Sequence, residues 1–364
     1  MTRILIAIFI ALNFQACTQE KTILEKPTID NRVELMSIVF RLAEKQEYSN
    51  KRFKPYVNRI EQYFEKYKDH ELIQFTRSIM SEYGIAFDGP MWLAVHLDDH
   101  LKPLPGVKDV WQLDPRWTKE NVEKFVPLLQ KFYKDTRFDN FLKSNADLYA
   151  EVVRRFAPIY DQVDPNWCFS FFGKKPKEIF SIKIGLGTGG NCYGVYLDDT
   201  NGNRRVYAIM GIQSFDHTGL PEFSTLFDLP LVIHEFSHPF IDNLTEKNKE
   251  IFRESGEKIF SVAKNVIGIE AYPSWQIVLD EALVHASVIK YMKDHDFKQS
   301  EIETWIKLLE ENFGFFWIEE LVDELENYEI QRDKYPTLES YMPELAEAYK
   351  IWTENILTST HSDE

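Results

Sequence analysis

Cysteine, basic clusters and long apolar runs are scarce in this sequence of 364 residues. Three cysteines are too few for a scaffold of disulfide bonds, so the fold must be stabilised by its apolar core. The net charge of −16 and the lack of a segment rich in Lys and Arg argue against nucleic acid as a partner. No run approaches the roughly 20 apolar residues that a membrane-spanning helix requires. With 44% hydrophobic and 14% aromatic residues, the chain has ample material for a globular core.

The first residues, MTRILIAIFIALNFQACTQE, are typical of a bacterial secretion signal. Arg3 precedes a short apolar run, and the small residue Ala16 stands directly before Cys17. Because FQAC resembles a lipobox, we expect residues 1–16 to be a cleaved signal peptide and Cys17 to carry a lipid that anchors the chain. Ordinary cleavage without a lipid is the alternative. The predicted location is the cell envelope of a Gram-negative-type bacterium, at the outer membrane or cell surface.

This location bears on the two other cysteines, Cys168 and Cys192. They would lie in a compartment that permits disulfides. Sequence spacing does not determine the distance between their Cα atoms, so a bridged state and a free state both remain open.

Helical spacing dominates the chain after a polar stretch at residues 17–30, which we interpret as a tether. Apolar residues recur every three or four positions in several segments that follow. In one of them, Thr118 is the expected N-cap of a helix with an apolar stripe made of Phe125, Leu128, Leu129 and Phe132. Residues 31–165 are therefore predicted to form a helical N-terminal lobe.

The pattern changes in the middle of the chain. Residues 179–213 are rich in glycine and in β-branched and aromatic residues, and Asn201-Gly202 between two strand-like runs predicts a hairpin. Helical spacing returns afterwards and continues almost to the C-terminus. The predicted class is α+β, mainly α: a helical lobe, then a small sheet of two or three strands and a second helical region within residues 166–357. Residues 358–364 are predicted to be a disordered tail.

A glycine motif in this segment raises the question of a nucleotide site. Gly185, Gly187 and Gly190 match G-x-G-x-x-G, but a dinucleotide site requires a helix to begin at the motif. Here the sequence continues into a strand-like run. We therefore interpret the glycines as a flexible loop of the sheet region that could border a cleft, and we predict no nucleotide cofactor.

The strongest chemical motif is His234-Glu235-Phe236-Ser237-His238, which matches H-E-x-x-H. Residues four apart on a helix share one face, about 6 Å apart along the axis, so two imidazoles can bind one tetrahedral metal ion. Glu235 would point about 100° away from His234, close enough to activate a water at the metal without binding the metal itself. This pattern is typical of a catalytic zinc site.

Composition and helical phase favour a metal site over structural histidines. With 9 histidines and 58 acidic residues, roughly 0.03 chance matches to the broader pattern H-[DE]-x-x-H are expected in this chain. The apolar residues of the predicted helix form a stripe on the side away from the two histidines: Leu229, Ile233, Phe236 and Phe240. Pro239 cannot donate to the carbonyl of Glu235 and clashes there. We expect residues 234–238 to stay helical and a bend to follow.

A catalytic zinc needs a third protein ligand. The residues after the motif do not match the extended metzincin pattern, so that class is rejected. Asp242 would lie about 12 Å along the helix axis from His234, too far to share the ion. Glu281 is the preferred ligand, because it lies in the apolar stretch WQIVLDEALVHASVIKYM, where a buried carboxylate needs a partner. Glu257, in the more polar segment ESGEKIF, is the alternative.

Residues near Glu281 have further predicted roles. His285 lies one turn later on the same helix face and would bind substrate or stabilise an oxyanion, or else form an interior hydrogen bond. Tyr272 and Tyr193 are weaker candidates for the same electrophilic role. Asp280 would orient a neighbouring metal ligand.

A second histidine pair, His96 and His100, is also four residues apart and encloses two aspartates. No third ligand is evident nearby, so we expect helix capping and surface hydrogen bonds here in preference to a second metal ion.

The segments HEFSHPFIDNL and LDEALVHA resemble the gluzincin branch of the zincin metallopeptidases. That resemblance implies zinc bound by the three predicted ligands, Glu235 as the catalytic base, and an extended peptide along a strand edge beside the zinc helix. The strand region at residues 179–213 would supply that edge. More broadly, the lipobox, VELMSIVFRLAE, MWLAVHLDD and the zinc motif resemble a bacterial lipoprotein family described as a domain of unknown function, over most of residues 33–292.

The leading hypothesis is a Zn²⁺-dependent peptidase of the cell envelope, in which Glu235 assists the attack of water on a peptide bond. The alternative is a non-catalytic surface lipoprotein that binds a peptide or glycan, with zinc structural or absent. A third hypothesis keeps the zinc chemistry but assigns it to a different bond, such as one in cell-wall peptide. The predicted partners are a peptide or protein substrate and, through Cys17, a membrane.

Overall fold

The computed structural model describes residues 23–173, 178–264, 266 and 272–360. The predicted signal peptide and Cys17 lie outside the described residues, so the structure does not bear on either prediction. The predicted class, α+β and mainly α, is confirmed. Within the described ranges, every helix is too short or too polar to span a lipid bilayer.

Helices form most of the described chain. Those before the sheet are α1 Asn31–Leu42, α2 Lys54–Phe64, α3 Glu71–Tyr83, α4 Gly89–Val95, α5 Lys119–Thr136, α6 Phe138–Ser144, α7 Ala146–Tyr160 and α8 Pro165–Phe172. Those after it are α9 Asp228–Ile241, α10 Leu244–Lys247, α11 Lys249–Ala263, α12 Trp275–Asp294, α13 Gln299–Glu311, α14 Ile318–Ile330 and α15 Leu338–Thr360. Short 3₁₀ helices lie at Gln46–Tyr48, Glu65–Tyr67 and Val110–Gln112.

The strands form a small mixed sheet and a separate short pair. The strands are β1 Leu24–Thr28, β2 Ile179–Gly185, β3 Tyr193–Asp198, β4 Arg204–Gly211, β5 Ser214–Phe215 and β6 Pro221–Glu222. The larger sheet has the order β1-β2-β4-β3, with β2 parallel to both β1 and β4 and with β3 antiparallel to β4. Strand β3 therefore occupies one edge of the sheet, and Gly194 in it pairs with Ala208 of β4.

Local signals in the sequence predict several of these elements correctly. The Thr118 side chain accepts a hydrogen bond from the N–H of Asn121 at 3.1 Å and caps α5, as expected. The region between residues 179 and 213 contains three strands, and β3 and β4 form the predicted hairpin. In its turn, Gly202 adopts a φ of +79°, a conformation that glycine accepts without a steric cost.

The two chain ends differ from the prediction. Part of the expected tether at residues 17–30 is β1, which pairs with β2. Its composition is polar because it lies at the sheet edge, and Pro27 is tolerated there since an edge strand does not need every N–H. At the other end, α15 continues to Thr360, into the range predicted as a tail, and residues 361–364 lie outside the described residues.

The core joins the predicted N-terminal lobe to the region that follows it. Buried apolar residues from Val33 in α1 to Tyr349 in α15 belong to one cluster. The carboxylate of Glu34 in α1 also accepts a hydrogen bond from the N–H of Leu186, just after β2, at 2.7 Å. The ranges 31–165 and 166–357 therefore share a single core.

Packing of α9 on the sheet determines where its polar face lies. Phe236, in the predicted apolar stripe, is fully buried, and its ring centroid lies 4.6 Å from that of Phe180 in β2. Helix α9 also contacts β3, β4 and α12. The motif residues on α9 consequently lie between the edge strand β3 and helix α12.

Candidate metal centre

Helix α9 carries the whole H-E-x-x-H motif in helical conformation, as predicted. Pro239 lies inside the helix, where its missing N–H leaves the carbonyl of Glu235 without its usual helical partner. The helix continues only to Ile241, and Asp242, with a φ of −47° and a ψ of 128°, leaves helical geometry. The chain therefore turns away shortly after the proline, while His238 remains on the same helix as His234.

The structure brings Glu281 of α12 together with both motif histidines. The Nε2 atoms of His234 and His238 are 3.1 Å apart. Oε1 of Glu281 lies 3.4 Å from Nε2 of His234, and Oε2 lies 4.0 Å from Nε2 of His238. Ligands about 2.0–2.1 Å from a tetrahedral zinc are separated by about 3.3–3.4 Å. Two of the three separations are close to this value and the third, at 4.0 Å, is longer, so a small movement of the Glu281 side chain would let the three residues hold a zinc ion. Glu257, the alternative ligand, is exposed on α11 and is not part of the cluster.

Burial and neighbouring charges have opposite effects on the pKa of the Glu281 carboxyl. Burial would raise the pKa of the Glu281 carboxyl, but the neighbouring His234 and His238 hold it well below its ordinary value. The carboxylate is therefore ionised, which is the state that binds a metal. Among the described residues, these three form the one group of His, Cys, Asp and Glu side chains with ligand atoms close enough for a shared ion.

Glu235 lies beside the cluster and outside it. Its Oε2 is 4.0 Å from Nε2 of His238, and the residue is 4% exposed. Burial raises the pKa of its carboxyl. Glu235 is therefore placed to exchange a proton with a group held at the cluster.

Asp242 has a role that the sequence analysis missed. Its Oδ1 lies 3.0 Å from Nδ1 of His238, the ring nitrogen that does not face the cluster. Burial lowers the pKa of His238, but the charge of Asp242 and this hydrogen bond outweigh burial and raise that pKa to about 10 in the metal-free protein. A carboxylate on the far nitrogen fixes the orientation of a metal-binding imidazole. The spacing of four residues between His238 and Asp242 is the sequence signal for this contact.

Asp280 contacts the turn after α9, and no contact with a cluster histidine is seen among the described residues. Its carboxylate accepts hydrogen bonds from the N–H groups of Asn243 and Thr245, each at 3.0 Å, and from the Thr245 hydroxyl at 2.5 Å. Burial raises the pKa of Asp280 to about 7. Asp280 thus ties α12 to the segment that follows the motif, and these hydrogen bonds reach that turn instead of a cluster histidine.

His285 and the two tyrosines differ in their access to the site. Nε2 of His285 lies 3.5 Å from Oε1 of Glu281, and its ring centroid is 4.6 Å from that of His234. His285 is only 8% exposed, and burial lowers its pKa to about 3. The Tyr272 hydroxyl lies 3.3 Å from Oε1 of Glu281. Tyr272 and Tyr193 line the cleft described next, whereas the described lining residues do not include His285.

The cluster opens into a cleft of about 710 Å³. Its lining also includes side chains that the sequence analysis did not single out, among them Phe87, Asp88, Trp92, Arg116 and Ile277. Larger open depressions around Arg137 contain none of the cluster residues. The chemistry and the cleft therefore coincide at one place between α4, β3, α9 and α12.

Strand β3 approaches α9 at Gly194 more closely than another residue would allow. A Cβ atom on Gly194 would lie 2.7 Å from the carbonyl oxygen of Glu235, 3.0 Å from its Oε2 and 3.2 Å from Cδ2 of His238. A glycine inside a strand pattern is a sequence signal for such an approach. Gly194 lets the edge strand lie directly against two motif residues.

The remaining motifs lie outside the cluster. Cys168 and Cys192 are both free, so the open question of a bridge is answered. His96 is buried at the end of α4 with its Nδ1 2.6 Å from the carbonyl of Trp92, and His100 is exposed. The glycine motif is followed by strand β3 and not by a helix. This agrees with the interpretation of the motif as a loop of the sheet region.

Comparison with known proteins places the chain in a family without assigning it an activity. Neither a curated protein nor a solved structure is significantly similar to it. A family model described as Domain of unknown function (DUF4932) matches residues 26–348, which include every residue of the cluster. The protein belongs to this family.

Proposed function

We propose that the protein is a zinc-dependent peptidase of the cell envelope, with a gluzincin-like site. The convergence of His234, His238 and Glu281 is the observation that carries the proposal. Two histidines and one carboxylate leave a fourth coordination position open, which is typical of catalytic zinc and not of structural zinc. The location rests on the N-terminal signal and on Cys17.

Residues around the cluster would perform the proton transfers of hydrolysis. When bound, zinc would lower the pKa of a coordinated water toward about 7 and polarise the scissile carbonyl. Glu235 would take a proton from the attacking water and pass it to the leaving amine, and its buried position with a raised pKa suits that exchange. Tyr272 lines the cleft and is better placed than His285 to donate a hydrogen bond to the developing oxyanion.

The edge strand supports an extended peptide as the substrate. Apart from its bonds to β4, β3 has one backbone hydrogen bond within the described chain, from the N–H of Lys108 to the carbonyl of Asp198. Residues 193–197 have no backbone hydrogen bond to any described residue outside the sheet. Free backbone groups on an edge strand can pair with an added peptide strand. Because Gly194 lies against Glu235, a peptide paired with β3 would pass close to the metal cluster.

Zinc content and peptide hydrolysis test the proposal together. The wild-type protein should bind one zinc ion per chain, and His234→Ala and Glu281→Gln should lose it. Glu257→Gln is the matched control, since this exposed glutamate lies outside the cluster and its loss should leave zinc in place. Glu235→Gln should keep zinc and lose about 10²- to 10⁴-fold in the rate of hydrolysis of a peptide library.

The outcomes separate the hypotheses. Undiminished hydrolysis by Glu235→Gln would contradict the role of Glu235 as a base. A wild-type protein without zinc, or with four protein ligands to it, would favour a non-catalytic lipoprotein that binds a peptide or glycan. Cleavage of cell-wall peptide fragments without cleavage of ordinary peptides would favour the same chemistry on a different bond.

A further inference from the structure

The segment before α4 forms a wall of the cleft and is held by its neighbours at several points. The Arg116 side chain donates to the carbonyl of Ala86 at 3.0 Å and to Oδ1 of Asp88 at 2.8 Å. The N–H of Phe87 donates to Oε1 of Glu47 at 2.8 Å, and the Tyr48 hydroxyl donates to the carbonyl of Phe87 at 2.5 Å. The backbone of Phe87 is thus fixed on both sides of its side chain.

Phe87 itself combines an unfavourable backbone conformation with exposure to water. Its φ is +50°, in the left-handed region that bulky residues rarely adopt. The residue is 37% exposed, and the Lys45 ammonium lies 5.9 Å from its ring centroid, so Phe87 is not part of the apolar core. Strained residues held by their surroundings cluster at functional sites. A strained, exposed phenylalanine on a fixed cleft wall therefore indicates a ligand contact.

A second exposed apolar side chain lines the same cleft. Ile277 is 42% exposed and belongs to the first turn of α12, the helix that carries Glu281. Phe87 and Ile277 come from different elements, and each lines the cleft that contains the metal cluster. Exposed apolar side chains within a cleft favour an apolar ligand group, because binding removes both surfaces from water.

We propose that Phe87 and Ile277 form an apolar subsite that binds a large aliphatic or aromatic side chain of the peptide substrate, next to the cleaved bond. This inference rests on the peptidase function proposed above and adds the substrate class. Phe87 is a specificity-determining residue in this scheme, and no proton transfer is assigned to it.

Paired peptides measure the preference directly. Two peptides that differ only in phenylalanine or alanine beside the cleaved bond are compared by their kcat/KM ratio. The wild-type protein should prefer phenylalanine by about 10- to 200-fold. Phe87→Gly removes the ring and also relieves the left-handed conformation, so the variant should fold. Its ratio should fall below about threefold, and Ile277→Ala should lower the ratio by a smaller factor.

Matched variants control for strain and for exposure. Glu44→Gly relieves a φ of +66° outside the cleft, and Ile330→Ala removes an isoleucine that is 82% exposed on α14. Both should keep the wild-type ratio. A folded Phe87→Gly protein with the wild-type ratio would overturn the subsite, as would a wild-type protein with no preference between the two peptides.

Peptide binding to zinc-loaded Glu235→Gln protein distinguishes failure of the subsite from failure of the peptidase proposal. One outcome is binding that is selective for phenylalanine and disappears when Phe87→Gly is added, while the wild type shows no hydrolysis. This outcome would support the subsite and contradict the peptidase proposal. Hydrolysis with a ratio insensitive to Phe87→Gly would reject the subsite and keep the peptidase. Absence of both binding and hydrolysis would overturn both.

Discussion

Gly194→Ala tests how the fold positions the candidate metal centre formed by His234, His238 and Glu281. The added methyl group would lie 2.7 Å from the carbonyl oxygen of Glu235. That oxygen is part of the backbone of α9, and the methyl group is bonded directly to the Cα of residue 194 in β3. Neither atom can therefore move away by rotation of a side chain. The strand and the helix must separate, or Glu235 must move.

The expected magnitude follows from this geometry. The contact must lengthen by roughly 0.7 Å to reach an ordinary van der Waals distance. A displacement of about 1 Å at a catalytic group costs up to about 10²-fold, so kcat/KM should fall about 10- to 100-fold. Overpacking should also lower the free energy of unfolding by about 1–3 kcal/mol.

Gly202→Ala separates loss of stability from distortion of the site. Gly202 has a φ of +79° in the β3–β4 turn, with no atom within 4 Å of an added Cβ. Alanine there should cost about 1–2 kcal/mol through backbone strain alone. Urea unfolding, zinc content and peptide hydrolysis are measured for both variants. Wild-type kcat/KM in a folded Gly194→Ala protein would refute the positioning argument, and equal losses of kcat/KM in both variants would assign the effect to stability.

Two further predictions concern the carboxylates of Asp242 and Glu34. Asp242→Ala removes the group 3.0 Å from Nδ1 of His238, and zinc affinity measured by chelator competition should fall about 10- to 100-fold; an unchanged affinity would refute an orienting role. Burial raises the pKa of Glu34 to about 7 from 4.5, so its contribution to stability is complete below pH 4.5 and is lost as the pH rises through 7. Between about pH 4 and pH 8, the free energy of unfolding of the wild type should fall by about 3 kcal/mol relative to that of Glu34→Gln. Urea unfolding at each pH measures this difference, and parallel pH profiles of the two proteins would contradict the prediction.

Elements whose signals are local were predictable from the sequence. The cap at Thr118, the hairpin around Asn201 and Gly202 and the helical motif on α9 each depend on residues a few positions apart. Periodicity reports on such neighbours directly. The class of the fold followed from adding these local assignments.

Strand β1 was missed because its pairing is not local. Its partner β2 lies more than a hundred residues away, and an edge strand needs no alternating apolar pattern. The division at residue 165 was drawn from a change in local pattern, whereas the core is shared across it. Tertiary packing decided both points.

Parts of the candidate site show the same contrast. Glu281 was selected because a carboxylate in an apolar helix needs a partner, and packing of α12 on α9 brings it to both histidines. Asp280 stands next to it and was assigned a contact with a metal ligand, but its side chain bonds the turn at Asn243 and Thr245. Side chains at adjacent helix positions point about 100° apart, so a shift of one position along the helix changes which neighbouring segment a side chain contacts.

The sequence by itself determined that two histidines share one helix face with a glutamate beside them, because helical geometry relates residues four apart. Only the tertiary structure decided what surrounds that face. The approach of β3 at Gly194 and the strained exposure of Phe87 depend on contacts between distant segments. Such contacts arise when the helices and the sheet pack into one core, and no local pattern encodes their distances.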